Sequence, residues 1–210
     1  MTPSAPALTL LHTSPVHVPV FEALRERHHP GARLRHLVVP ELLERARVLG
    51  PGSQAPAVRE LLEGSAGPVL VTCSTIGAVG EALAHELGVP VLRVDRPMAA
   101  AAVRAGPRIV VLATVESTLG PTAELLGEEA LRAGRPVSVR TRLVHGAWDR
   151  FAAGDEAGSL GLVAASADAV TDADVIVLAQ VSMAGAATLA TTPVPVLSSP
   201  ASGLAAALGK

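Results

Sequence analysis

A chain of 210 residues that is 49% apolar but only 1% aromatic must build its core from Ala, Val and Leu, and is long enough for one α/β domain or two small ones. Its formal charge of −2, without a basic cluster, argues against a nucleic-acid surface. A single cysteine, no tyrosine and a lone terminal Lys210 exclude an internal disulfide and a Tyr acid/base, and argue against a Schiff-base or P-loop lysine.

Strands and helices alternate along the chain. Leu8 to His12 reads as a strand ended by Thr13-Ser14-Pro15, with Pro15 in the first turn of a helix to about His28 and Ser14 as its cap. Arg33 to Val39 is a second strand, and Pro40-Glu41 opens a short helix. Gly50-Pro51-Gly52 breaks the chain before a helical stretch over Ala57 to Glu63. Val69 to Val71 predicts a buried strand that delivers Cys73 to its end, and Ala78 to Leu87 predicts a helix closed by Gly88. Val89 to Val94 is the next strand, and Asp95 caps a helix containing Pro97 and Ala99 to Val103.

The pattern then starts again. Arg108 to Ala113, Pro136 to Leu143, Asp174 to Ala179 and Val194 to Leu197 read as strands. Helices run from about Pro121 to Ala133 and from Gly158 to Ala169, and Pro200 opens a terminal one. Val175 to Gly209 carries no charged side chain, yet Gly185, Pro193, Pro195 and Pro200 interrupt it. No apolar run there reaches the roughly 20 helical residues a bilayer demands. Met1-Thr2-Pro3-Ser4 lacks the basic flank and apolar region of a signal peptide. These features, with the unpaired cysteine, predict a cytoplasmic protein without a membrane partner.

Laid strand on strand, the halves repeat at a spacing of roughly 100 residues, the size of a small domain. Leu8 to Thr13 falls on Ile109 to Thr114, Leu70 to Thr75 on Val177 to Ser182, and Val89 to Leu92 on Val194 to Leu197. The expected architecture is α/β: two pseudo-twofold-related lobes, each a four-stranded parallel sheet flanked by helices, over 1–96 with 199–210 and over 97–198. Ligands of such sheets bind outside the carboxyl ends of the strands. There the repeat matches Thr13 with Thr114, Cys73 with Gln180 and Thr75 with Ser182, six residues expected to line a cleft between the lobes.

Cys73 lies between a strand end and a helix start, where backbone N–H groups and the helix dipole favour a thiolate or a bound carboxylate. Ser74 and Thr75 then hold a carboxylate, or simply cap the helix. No G-x-G-x-x-G is present, so no dinucleotide cofactor is indicated. His12 and His17 lack a convincing third ligand, so no metal is expected. His28-His29 reads as a solvated helix end, and His145 either reaches the cleft or lies in a surface loop. Arg93, Arg140 and Arg142 are candidates for pairing with a carboxylate.

Three ordered motifs carry a resemblance: V-L-V-T-C-S-T-I-G at Val69–Gly77, V-L-A-T-V-E-S-T at Val111–Thr118 and V-I-V-L-A-Q-V-S-M at Val175–Met183. With H-T-S-P after the first strand and two V-P-V-L strands, the whole chain resembles the aspartate/glutamate/hydantoin racemase superfamily. The resemblance implies two α/β lobes, no cofactor, a small carboxylate-bearing substrate and a homodimer or larger homo-oligomer. In the racemases a cysteine from each lobe flanks the substrate's α-carbon. Cys73 matches the first as catalytic residue, whereas the second position is Gln180, which cannot titrate. The implied substrate-binding residues are Thr13, Ser14, Ser74, Thr75, Thr114, Ser117, Thr118, Gln180, Val181 and Ser182. Three outcomes stay open: a racemase or cis–trans isomerase using Cys73, a single-cysteine decarboxylase or lyase, and a non-catalytic carboxylate-binding protein.

Overall fold

The unbroken apolar runs of the sequence become central parallel strands covered on both faces, the burial such runs require. The computed structural model describes residues 7–210, and the reading of Met1-Thr2-Pro3-Ser4 lies outside them. Two compact units are present: the chain up to Val94 together with Pro200–Lys210, and Asp95–Ser199.

The first unit runs β1 (Leu8–His12), α1 (His17–His28), β2 (Leu34–Val38), α2 (Glu41–Leu49), α3 (Ala55–Leu62), β3 (Val69–Val71), α4 (Ser74–Ala82), α5 (Ala84–Leu87) and β4 (Val91–Arg93). Its four strands are parallel in the order β2-β1-β3-β4. On one face Leu11, Val69, Val71 and Val91 pack with Leu42 and Ala46 of α2, Val58 and Leu62 of α3, and Ile76 of α4.

The second unit runs α6 (Arg96–Ala105), β5 (Arg108–Ala113), α7 (Leu119–Ala133), β6 (Ser138–Leu143), α8 (Ala147–Ala152), α9 (Glu156–Asp168), β7 (Val175–Leu178), α10 (Ala186–Leu189) and β8 (Val196–Ser198). Its sheet is again parallel, ordered β6-β5-β7-β8. Alternation along the strands sorts the core onto two faces. Ile109, Val111, Val175 and Val177 meet Met98, Ala102, Leu125 and Leu126. Val110, Leu112, Ile176 and Leu178 meet Val163, Ala164 and Ala167 of α9. The edge strand β6 leaves Arg140 and Arg142 exposed, charges that discourage pairing with another strand.

The internal repeat is visible in the register: Leu11 pairs with Val71 in the first sheet, and its counterpart Leu112 pairs with Leu178 in the second. The last helix, α11 (Ser199–Ala207), belongs from Pro200 onward to the first unit. Gly203 permits this packing. A Cβ there would fall 2.5 Å from the Val94 carbonyl oxygen and 3.0 Å from Val94 Cα.

Three local expectations are corrected. Ser14 does not cap α1: the helix starts at His17 with Val16 at the N-cap and no side-chain capping bond. The Ser14 and Pro15 carbonyls instead accept from the His17 and Val18 N–H groups in a tight lead-in turn. The helix after Cys73 starts at Ser74 rather than Ala78, because Gly77 and Gly80 let it lie close to the sheet; a Cβ on Gly80 would approach Val71 Cγ2 to 2.6 Å. It also breaks at Leu83, whose N–H turns to the Gly80 carbonyl. Asp95 takes the N-cap position of α6, again without a side-chain capping bond.

Candidate active site

In the first unit β1 and β3 are parallel neighbours, so the segments leaving them emerge at one carboxyl edge. Thr13 and Ser14 leave β1, and Thr72 to Thr75 leave β3. Cys73 is extended (φ −111°, ψ 118°) and occupies the N-cap of α4, while Ser74 and Thr75 form its first turn. The first N–H groups of a helix have no partner within it and carry the positive end of its dipole, so this turn can receive a carboxylate. Thr13, Ser74 and Thr75 are all buried, and Ser14 is half-buried.

Cys73 is only 7% exposed and packs among Leu11, Val71, Ile76 and Leu83. The thiol therefore has an apolar wall on the sheet side. Arg93, paired with Val71 across the sheet, is buried and crosses α4 at Gly77, where a Cβ would come within 3.1 Å of its Cβ and Nε. Arg140 and Arg142 lie on the exposed β6 edge, and Arg140 faces Asp172.

Behind Cys73 a chain of polar side chains runs through the unit. His12 Nδ1 is 2.8 Å from Thr72 Oγ1, and His12 Nε2 is 2.8 Å from His36 Nδ1. His36 Nε2 is 2.9 Å from Glu22 Oε1, and His17 Nδ1 is 3.4 Å from the same Thr72 hydroxyl. Burial, reinforced by the neighbouring His17 and His36, lowers the His12 pKa to about 3. Burial alone lowers that of His17 to about 4. The Glu22 carboxyl is held below its ordinary value, first by the hydrogen bond from His36 and then by Arg25. His36, Glu22 and Thr72 escaped the sequence reading. Their signal was a histidine on each of two strands, and only the β1–β2 register, with Leu10 opposite His36, makes them neighbours.

At the carboxyl edge of the second sheet the structure joins Thr114 to Gln180. The Gln180 Oε1 accepts from the Thr114 backbone N–H at 2.7 Å and from its hydroxyl at 3.0 Å. Because an N–H can only donate, the amide orientation is fixed and the NH₂ provides the side chain's donors. Gln180, at φ −129° and ψ 145°, precedes the 3-10 turn Val181–Met183 as Cys73 precedes α4. Val181 is buried and Ser182 half-buried. Ser117 and Thr118 lie in a second 3-10 turn, Glu116–Thr118. Thr118 is buried, and the Ser117 hydroxyl is buried without a hydrogen-bond partner.

Among the described residues no three His, Cys, Asp or Glu side chains are grouped to hold a metal ion. His28 and His145 are exposed. No helix among the described residues is long and apolar enough to cross a membrane.

A twice-repeated parallel sheet whose carboxyl edge bears a cysteine in one unit and a glutamine at the matching place in the other defines a two-unit α/β protein of the racemase type. Residues 51–207 match the Asp/Glu/Hydantoin racemase family, and the chain belongs to that family. No curated protein sequence matches it. Among solved structures it is similar to an aspartate racemase from Picrophilus torridus, at 13% identity and a TM-score of 0.71, covering 98% of this chain and 94% of that one. It is likewise similar to the glutamate racemase RacE1 of Bacillus anthracis, at 18% identity and 0.68, over 98% and 81% of the two chains. For an arylmalonate decarboxylase the values are 20% and 0.58, over 97% and 92%.

Proposed function

We propose that the chain is a cofactor-independent isomerase-type enzyme that moves a proton at the α-carbon of a small carboxylate, with Cys73 as the reacting group. The observation that carries this reading is the place of Cys73 at the N-cap of α4, followed by the buried hydroxyls of Ser74 and Thr75. A thiolate there takes the α-proton, and the electron pair left behind delocalises into the carboxylate as an enediolate. Donors fixed before the charge develops stabilise such an anion most. Thr13 and Ser14 border the same edge. In the second unit the proposal assigns carboxylate binding to Thr114, Ser117, Thr118, Gln180, Val181 and Ser182. Family membership supports the isomerase class, and the lone cysteine supports a reducing, cytoplasmic setting. A homo-oligomer is part of the proposal.

Gln180 favours a second reading. Its oxygen is engaged by Thr114 and its amide has no proton to exchange in acid/base chemistry, so a one-sided reaction is the natural rival: loss of CO₂ followed by protonation from Cys73. Incubation with amino acids, arylmalonates and unsaturated diacids in D₂O separates the readings. Solvent deuterium entering at an α-carbon, with retained carboxylate and dependence on Cys73, supports the isomerase; CO₂ release supports the lyase. If neither wild type nor Cys73→Ala acts on any of them while the wild type binds one, the protein is a carboxylate binder and the proposal falls.

A further inference from the structure

The polar chain joins five side chains, Glu22, His36, His12, Thr72 and His17, over distances of 2.8–3.4 Å. Glu22, an acceptor, faces His36 Nε2, so that nitrogen carries a proton. His36 Nδ1 faces His12 Nε2, His12 Nδ1 faces the Thr72 hydroxyl, and the Thr72 hydroxyl has two further neighbours, His17 Nδ1 at 3.4 Å and the Leu11 carbonyl at 3.1 Å. The links among His17, Thr72, His12 and His36 can therefore be drawn in either direction, whereas Glu22 and the Leu11 carbonyl only accept. We propose that this chain is a proton relay, in which a proton taken up at His17 is stored on His36 against Glu22.

At rest His17 donates Nδ1–H to Thr72, Thr72 donates to His12 Nδ1, His12 donates Nε2–H to His36 Nδ1, and His36 donates Nε2–H to Glu22. A proton arriving at His17 Nε2 releases the Nδ1 proton to Thr72 Oγ1. The original Thr72 proton passes to His12 Nδ1, and the His12 Nε2 proton passes to His36 Nδ1. The end state is a neutral His17, a neutral His12 in the opposite tautomer and a His36 imidazolium paired with Glu22. The Thr72 hydroxyl now turns to the Leu11 carbonyl, the acceptor already waiting at 3.1 Å. One proton is gained and no bond between heavy atoms changes.

The surroundings favour charge at the Glu22 end of the chain. His12 is fully enclosed, with the Phe21 ring centroid 5.6 Å from its own, and both His12 and His17 are held neutral by burial. The charged groups at the outer end come from α1: Glu22 itself, Arg25 at 2.7 Å from its other oxygen, and Glu26 at 3.2 Å from Arg25. His36 comes from β2, His12 from β1 and the neutral Thr72 from the end of β3. Among the described residues, His36 is the imidazole of this chain that meets a carboxylate. Thr72 is the residue before Cys73 at the end of β3, and the relay's use in turnover rests on reading the chain as a proton-transfer enzyme. Within that reading His36 and Glu22 are positioning residues.

Imidazole ¹⁵N spectra of the full chain, recorded against pH without substrate, test the relay apart from the reaction. The expected result is a single midpoint at which His36 becomes doubly protonated while His12 switches from Nε2–H to Nδ1–H. His36→Gln, which keeps an acceptor and a donor but cannot titrate, leaves His12 as Nε2–H throughout; circular dichroism checks that it folds. A His12 that keeps one tautomer while His36 is protonated overturns the relay, as does a His12 that becomes an imidazolium before His36 does. If the D₂O assay also reveals turnover, His36→Gln should cost roughly tenfold or more in kcat with KM little changed, and an unchanged kcat would overturn the relay's part in it. A silent D₂O assay beside a coupled titration would remove the proposed reaction and leave the relay standing.

Discussion

The amide oxygen of Gln180 lies 2.7 Å from the backbone nitrogen of Thr114 and 3.0 Å from its hydroxyl, tying the end of β5 to the end of β7. Thr114 is only 8% exposed, so its N–H depends on this acceptor. Gln180→Ala leaves the N–H unpaired and should lower unfolding free energy by about 1–3 kcal/mol. Gln180→Glu keeps an acceptor there, strengthened by charge, and should cost less than the alanine variant at neutral pH. Urea unfolding of both proteins checks this. Equal losses would mean that the bond contributes nothing and that Gln180 matters only for its NH₂.

The two buried histidines make the fold sensitive to acid. In the folded protein His12 titrates at about 3 and His17 at about 4, against 6.5 for an unperturbed group. As pH falls below 6.5 the unfolded chain takes up these protons first, so stability is full above that value and declines toward pH 4. Each histidine contributes a slope of up to about 1.4 kcal/mol per pH unit in this window. His17→Gln removes one of the two titrations, and its stability should fall less steeply between pH 6 and about 4. Denaturation midpoints measured across that range decide the matter; parallel curves for variant and wild type would show that His17 is protonated in the folded state as well.

Cys73 packs among Leu11, Val71, Ile76 and Leu83 with 7% of its surface exposed, so its removal has a structural effect that must be separated from any chemical one. Cys73→Ala removes only a sulfur from that cluster and should cost roughly 1 kcal/mol, the order of a small deletion at a buried site. A folded, slightly less stable variant makes lost deuterium exchange a statement about the thiol. If thermal unfolding shows a much larger loss, the sulfur holds the β3–α4 corner together, and a lost activity would say little about chemistry.

The sequence was legible where one physical signal dominated. Val69 to Val71, Ile109 to Ala113 and Val175 to Leu178 are apolar without interruption, and all three became central strands. The repeat is readable because corresponding strand ends carry polar residues, which places Thr114 and Gln180 at the carboxyl edge of one sheet, where the structure joins them by hydrogen bonds. Helix starts were less legible. Ser14 had the chemistry of a cap, yet the Ser14-Pro15 turn uses backbone carbonyls instead. The helix after Cys73, expected from Ala78, begins at Ser74, and Gly77 leaves room there for Arg93. His12 and His36 are 24 residues apart, and no local pattern announces a contact that exists only through strand pairing.

Two glycines make opposite predictions from the same substitution. A Cβ at Gly203 would lie 2.5 Å from the Val94 carbonyl oxygen, 2.6 Å from its Cγ2 and 3.0 Å from its Cα. Two of these are backbone atoms next to β4, which cannot move aside as the tip of a side chain can. Gly203→Ala must therefore push α11 off the sheet, and should lower stability by about 1–3 kcal/mol. Gly127 lies within α7 and a Cβ there meets nothing within 4 Å. Gly127→Ala reduces the freedom of the unfolded chain and should raise stability by about 0.5–1 kcal/mol. Thermal unfolding of the pair gives a difference in sign rather than in size. If Gly203→Ala proves neutral, α11 does not pack against the end of β4 as described, and the return of the C-terminal helix to the first unit would need to be redrawn.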